Sequence, residues 1–141
     1  MTLEVNRAGF RVGQVWHYKT RPQEPNSTFT IVRIDNLPGG TVIHISVRSV
    51  KVRNPRSKTG FSETIAHSPF WESAIRQSVD QLAEENAESP NYEEGYREWR
   101  RAIDAGEGGV FTISVAESID LMEHILCTVE PRHIGRTEGE N

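Results

Sequence analysis

A chain of 141 residues with a net charge of −4 and a single cysteine has the size of one domain, and it can bury a core without metal or cross-links. One cysteine excludes an internal disulfide and a multi-cysteine zinc site, and no apolar run approaches the roughly 20 residues of a membrane span. The opening MTLEVNRAGFRVGQV lacks the apolar stretch of a secretory leader, so the expectation is a cytoplasmic protein without membrane attachment.

Charge is divided unevenly along the chain. Residues 1–60 carry ten Lys or Arg against three acids, and residues 61–141 carry six Arg against 17 acids, so +7 is followed by −11. Such asymmetry fits a complementary protein partner or self-association.

Taken in chain order, GQVWHYKT at 13–20 reads as a strand that ends in a loop through Pro25, and TFTIVRID at 28–35 reads as a second strand. The turn signal NLPGG at 36–40 leads into TVIHISVRSVKVR, a third strand paired with the second as a hairpin. In that run Ile43, Ile45 and Val47 keep one alternation while Val50 and Val52 take the other. The change of parity predicts a bulge or bend near Arg48-Ser49.

Helical spacing follows. Ser68-Pro69 reads as a helix start, with Trp71, Ala74, Ile75, Val79 and Leu82 on one arc. Ser89-Pro90 repeats the signal ahead of Tyr92, Tyr96, Trp99 and Ile103, with Gly106 as the stop. After the turn GEGG comes VFTI at 110–113, a short strand or a buried connector. Ser114 and Glu117 have the spacing of a capping box for a third, well-buried helix.

Strands first and helices afterwards predict an α+β fold. The expected architecture is a small antiparallel sheet of three to five strands from the N-terminal half, with about three helices from the C-terminal half on one face. The expected domain spans residues 1–127, with a flexible tail at 128–141. The opening pattern Gly13-x-Val15-Trp16-x-Tyr18 resembles the first strand of SH3-like and OB-like small barrels over some eight residues. That resemblance implies a barrel-like sheet.

The catalytic inventory is thin. There is no phosphate-binding loop, no GxGxxG after a strand and no HExxH, and GEGG follows a helix with no lysine behind it. No catalytic residue, metal ligand or cofactor is assigned. Cys127 lies among Asp120 and Glu123 on the helical wheel, the wrong setting for a nucleophile.

Three readings of function remain, ranked in this order. The first is a non-enzymatic binding or regulatory module acting through protein contact. The second is a nucleic-acid binder using Arg48, Lys51, Arg53, Arg56 and Lys58, five cations in a stretch without an acid, beside Trp16 and Tyr18 as a stacking surface. Against it, Trp16 and Tyr18 serve equally as the core face on which helices pack, and the acidic second half can balance the basic stretch internally. The third is a small-molecule or anion binder, conceivably an enzyme, around His67 and Ser68, placed before a helix start whose free amides attract anions, with His44 lining a groove. Its bland counterpart makes these residues a helix cap and an ordinary sheet histidine.

Overall fold

Strand pairing in this chain is local at first and closes only late. The computed structural model describes residues 9–128. β1 (Val15–Tyr18), β2 (Thr28–Leu37), β3 (Gly40–Arg53) and β4 (Phe61–Trp71) form a meander, α1 (Glu72–Ser78) follows, and β5 (Val79–Glu84) returns to the free edge of β1. α2 (Glu93–Asp104) and α3 (Val115–Thr128) complete the element order. The five strands form one sheet in the order β4-β3-β2-β1-β5 with antiparallel pairing throughout. This is the expected α+β class, with the sheet open rather than closed into a barrel, because β4 and β5 occupy opposite edges. No helix among the described residues is long and apolar enough to cross a membrane.

Several sequence signals act as read. NLPGG makes the β2–β3 hairpin, in which Leu37 pairs with Gly40, and Gly40 takes a φ of 141°, which favours glycine. Ser49 bends β3 with a φ of 60°. Around it Ser49, Val50 and Lys51 lie opposite Glu63 alone, since the registered pairs jump from Arg48–Thr64 to Val52–Ser62. Val50 and Val52 thereby reach the core. The Ser114 hydroxyl accepts from the Glu117 amide at 3.1 Å while the Glu117 carboxylate accepts from the Ser114 amide at 3.0 Å, a reciprocal capping box.

Residues 68–84 differ from the expected single helix. Ser68 and Pro69 belong to β4, α1 has only seven residues, and Val79 and Leu82 lie in β5. The misleading i, i+3 spacing comes from a bulge: Tyr18 pairs with Val79 and Trp16 with Leu82, so an irregularity around Asp80 keeps two residues three apart on one face. Pro69 is tolerated because its backbone points away from β3, where its carbonyl accepts from the Phe111 amide at 2.9 Å. That contact makes the VFTI segment a half-buried connector with one bridge, Phe70 to Phe111.

Helices cover both faces of the sheet rather than one. Ala74 and Ile75 of α1 and Val115 and Ile119 of α3 join Trp16, Tyr18, Phe29, Ile31, Ile43 and Ile45 in the main core. On the other face Tyr96 and Trp99 of α2 pack with Val42, and Trp71, Ile103 and Val110 close around them. β3 is therefore buried on both sides, Ile43 and Ile45 facing one core and Val42 and His44 the other. α3 is less buried than its sequence suggests, since Leu121 and Ile125 are about half exposed. Of the expected tail, residues 129–141 lie outside the described residues, and Thr128 ends α3.

Arg21 joins the β1–β2 loop to β3 and α3. Its Nε and Nη2 donate to Glu24 at 2.7 and 3.0 Å, Nη1 to Asp120 and Glu123 at 3.1 and 3.0 Å, and Nη2 to the Lys51 carbonyl at 3.2 Å. Arg21 and Glu24 are both buried, and removing one member of such a pair strands the other's charge. Arg21→Leu is expected to lower unfolding free energy by about 3–5 kcal/mol. The double variant Arg21→Leu with Glu24→Leu should lose less than Arg21→Leu alone in urea unfolding; losses that simply add would show the two charges to be independent.

Candidate functional site

Two features stand out, a buried histidine row and an open basic groove, and each is placed by bulges. In β2 the registered pairs pass from Ile31–Ile45 to Arg33–His44, which makes Val32 an extra residue. The bulge turns Arg33 and Asp35 to the His44 face and sends Ile34 to the main core. A second irregularity between Ile45–Ser68 and Val47–Ile65 leaves His67 on the His44 face. Ser68, opposite Ile45, is buried on the other.

Three strands thus contribute one hydrogen-bonded row. His44 Nε2 lies 3.0 Å from Asp35 Oδ2, and His44 Nδ1 lies 2.9 Å from His67 Nε2. The Tyr96 hydroxyl of α2 donates to the same Asp35 oxygen at 2.9 Å. The partners dictate the tautomers. A carboxylate can only accept, so His44 carries its proton on Nε2 and offers a lone pair at Nδ1, which makes His67 Nε2 the donor.

Tyr96 and Trp99 stand edge-on to the His44 ring at 5.0 and 4.6 Å, and the Arg33 guanidinium covers the outer face of Tyr96 at 4.2 Å. A Cβ on Gly95 would come within 3.0 Å of the His67 Cβ, so α2 can approach β4 this closely only with glycine there. The row is sealed by these contacts. Burial, followed by repulsion from His67, pushes the His44 pKa down to about 4, and burial lowers that of His67.

The structure brings His44 and His67 together, but not with Ser68, and the helix start that motivated an anion site at 68–69 is absent. Among the described residues no group of His, Cys, Asp and Glu is arranged to hold a metal.

The groove has a volume of about 660 Å³ and runs between residues 23–26 and the β3–β4 ladder. Its floor is the bulge at Ser49, Val50 and Lys51, with Arg48, Phe61 and Glu63 on its walls. Lys51 Nζ lies 5.3 Å from the Phe61 ring centroid, and Arg48 Nε donates to Thr28 at 3.1 Å. Arg48, Lys51, Arg53, Arg56 and Lys58 are all exposed. Among the described residues none of the five forms an ion pair with a carboxylate. The acidic residues of α3 serve the buried Arg21 instead, and Glu123 also accepts the Arg53 backbone amide at 2.6 Å. These acids thus balance Arg21 and not the side chains of the basic stretch.

Trp16 and Tyr18 do not accompany these cations. Both are core residues, with Trp16 Nε1 donating to Gln14 at 3.1 Å and the Tyr18 hydroxyl donating to Ser27 at 2.8 Å. Burial pushes the Tyr18 pKa up to about 12. Asp35, Tyr96 and Trp99, which complete the histidine row, escaped the sequence reading. A signal for Asp35 existed in TFTIVRID, where Phe29 and Ile31 keep one parity and Val32 and Ile34 the other.

Comparison with protein-family models, curated proteins and solved structures finds no match.

His44 couples folding to pH. The unfolded chain takes up a proton near pH 6.5 that the folded protein refuses until about pH 4, so stability present at neutral pH is lost as the pH falls through this window. The effect of His44 is expected to reach about 3 kcal/mol. Urea unfolding of wild type and His44→Gln at pH 7 and pH 4.5 should show a clearly smaller acid loss in the variant; equal losses would remove His44 as the cause.

Proposed function

We propose that the protein is a non-enzymatic binding module that acts through protein contact, and that its groove receives an extended acidic segment of a partner. One observation carries this reading: a groove of about 660 Å³ is lined by the exposed cations Arg48 and Lys51, which have no carboxylate partner among the described residues. Their charge is free to meet a ligand, and Arg53, Arg56 and Lys58 extend the positive field beyond the groove.

A peptide suits the walls better than a nucleic acid does. Pro25 and Phe61 offer apolar contact beside the cations. The sequence's candidate stacking residues, Trp16 and Tyr18, are buried in the core and offer no platform to bases. The bulged floor also suits peptide docking, since bulges re-aim side chains and interrupt regular pairing at binding surfaces.

Fluorescence anisotropy with a labelled acidic peptide, and with a single-stranded RNA of equal charge, tests the reading. The peptide is expected to bind with an affinity that falls as salt rises, and Arg48→Ala and Lys51→Ala should each weaken it about fivefold, or ~1 kcal/mol. Tighter binding of the RNA with a steep salt slope would replace the protein partner by a nucleic acid. Binding of neither at low salt would end the proposal.

A further inference from the structure

The histidine row lies on the opposite face from the main core and takes no part in the groove. It is also the place where α2 meets the sheet. Tyr96 bonds Asp35, Trp99 stands on His44, and Gly95 rests on His67. The Trp99 indole donates to the Gly109 carbonyl at 2.9 Å, which ties the connector after α2 to the same roof.

We propose that Asp35, His44 and His67 form a proton-operated latch that holds α2 on the sheet at neutral pH and releases it in acid. The row has room for one extra proton. With Asp35 fixing the proton of His44 at Nε2, His44 Nδ1 has only a lone pair to offer, and His67 already spends its Nε2 proton on it. A first added proton goes to Nδ1 of the half-buried His67 and leaves the row intact. A second proton on the imidazoles has only His44 Nδ1 left, which sets two N–H donors against each other at the 2.9 Å separation of the ring nitrogens.

Two positive rings stacked at 5.0 Å between centroids then repel within a site roofed by Tyr96 and Trp99. The surrounding charges do not absorb them. β2 supplies one carboxylate, Asp35, already engaged by His44 and Tyr96, but also Arg33; Tyr92 and the α2 residues Tyr96 and Arg100 add no acid, and Glu94 and Glu98, which flank Gly95 beside Ala66, are exposed to solvent. Moving α2 away admits water and relieves the repulsion, while β2, β3 and β4 stay paired through their backbones.

The physical sign agrees. Both histidines are harder to protonate in the closed row than in water, His44 down to about pH 4, so the open form binds more protons and acid favours it. Release would uncover Val42 and Trp71 beneath α2, an apolar surface absent at neutral pH.

Amide hydrogen exchange of the full chain at pH 7.5 and pH 4.5, expressed as protection relative to the intrinsic rate at each pH, tests the latch. Protection of Glu93–Asp104 is expected to fall at least tenfold in acid while β2 and β3 keep theirs. His67→Gln can still donate to His44 but cannot take up a proton, so α2 should stay protected at pH 7.5 and open with a proton dependence no steeper than one. Wild type should open with a steeper one. Imidazole nitrogen NMR of wild type at pH 7.5 gives a second reading, with protons expected on Nε2 of both His44 and His67. Unchanged α2 protection in acid, an equal loss in β2 and β3, a proton on His67 Nδ1 at pH 7.5, or an equally steep transition in His67→Gln would each overturn the latch.

Discussion

Arg21 is the one Lys or Arg of the described residues that is sealed from solvent, and the arrangement of the β1–β2 loop, the bend of β3 and α3 depends on it. Its side chain has five N–H donors in a fixed plane, and all five are used, on Glu24, Asp120, Glu123 and the Lys51 carbonyl. A guanidinium leaves water at a cost, and the matching carboxylates offset it only when geometry is complete. The pairing therefore acts less as a source of stability than as a specification of position. It fixes the β1–β2 loop, which walls the groove, against the bend of β3 and against α3. Glu24 extends the grip by accepting the Lys51 amide at 2.7 Å.

The charge asymmetry of the chain acquires a physical meaning from this hub. Acidic residues of the second half are brought to the basic first half, but they converge on the buried cation that needs them. The exposed cations of residues 48–58 are left to solvent, where a cation is well hydrated and needs no partner. Local bookkeeping of opposite charges would pair the basic stretch with α3. Burial decides otherwise, because the penalty for an unpaired charge is severe inside and slight outside.

Bulges are the second organising device. Each strand of the β2–β3–β4 ladder carries an irregularity, and each changes which face a side chain occupies. The bulge at Val32 brings Asp35 to His44, the irregularity in β4 leaves His67 beside them, and the bend at Ser49 shapes the groove floor. Both candidate features are thus products of broken alternation in a sheet whose regular parts only build the core.

What the sequence determined by itself was local chemistry: the hairpin at NLPGG, the bend at Ser49, the capping box at Ser114 and Glu117, and the 3.6-residue period of Tyr92, Tyr96, Trp99 and Ile103 in α2. These follow from backbone preferences and from hydrogen bonds between residues a few positions apart, so a short window contains their cause. The continuation of β4 through Pro69, the strand at Val79–Glu84, the half-exposed Leu121 and Ile125, and the split of the helices over two faces were decided only by tertiary structure. A strand exists where an unpaired edge of another strand awaits it, and β5 is a strand because β1 offers that edge, however helical its spacing looks. The histidine row is of the same kind. Asp35, His44, His67 and Tyr96 come from four elements, and hydrogen bonds among groups 9, 23 and 61 positions apart exist only after the sheet has set its register and α2 has docked upon it.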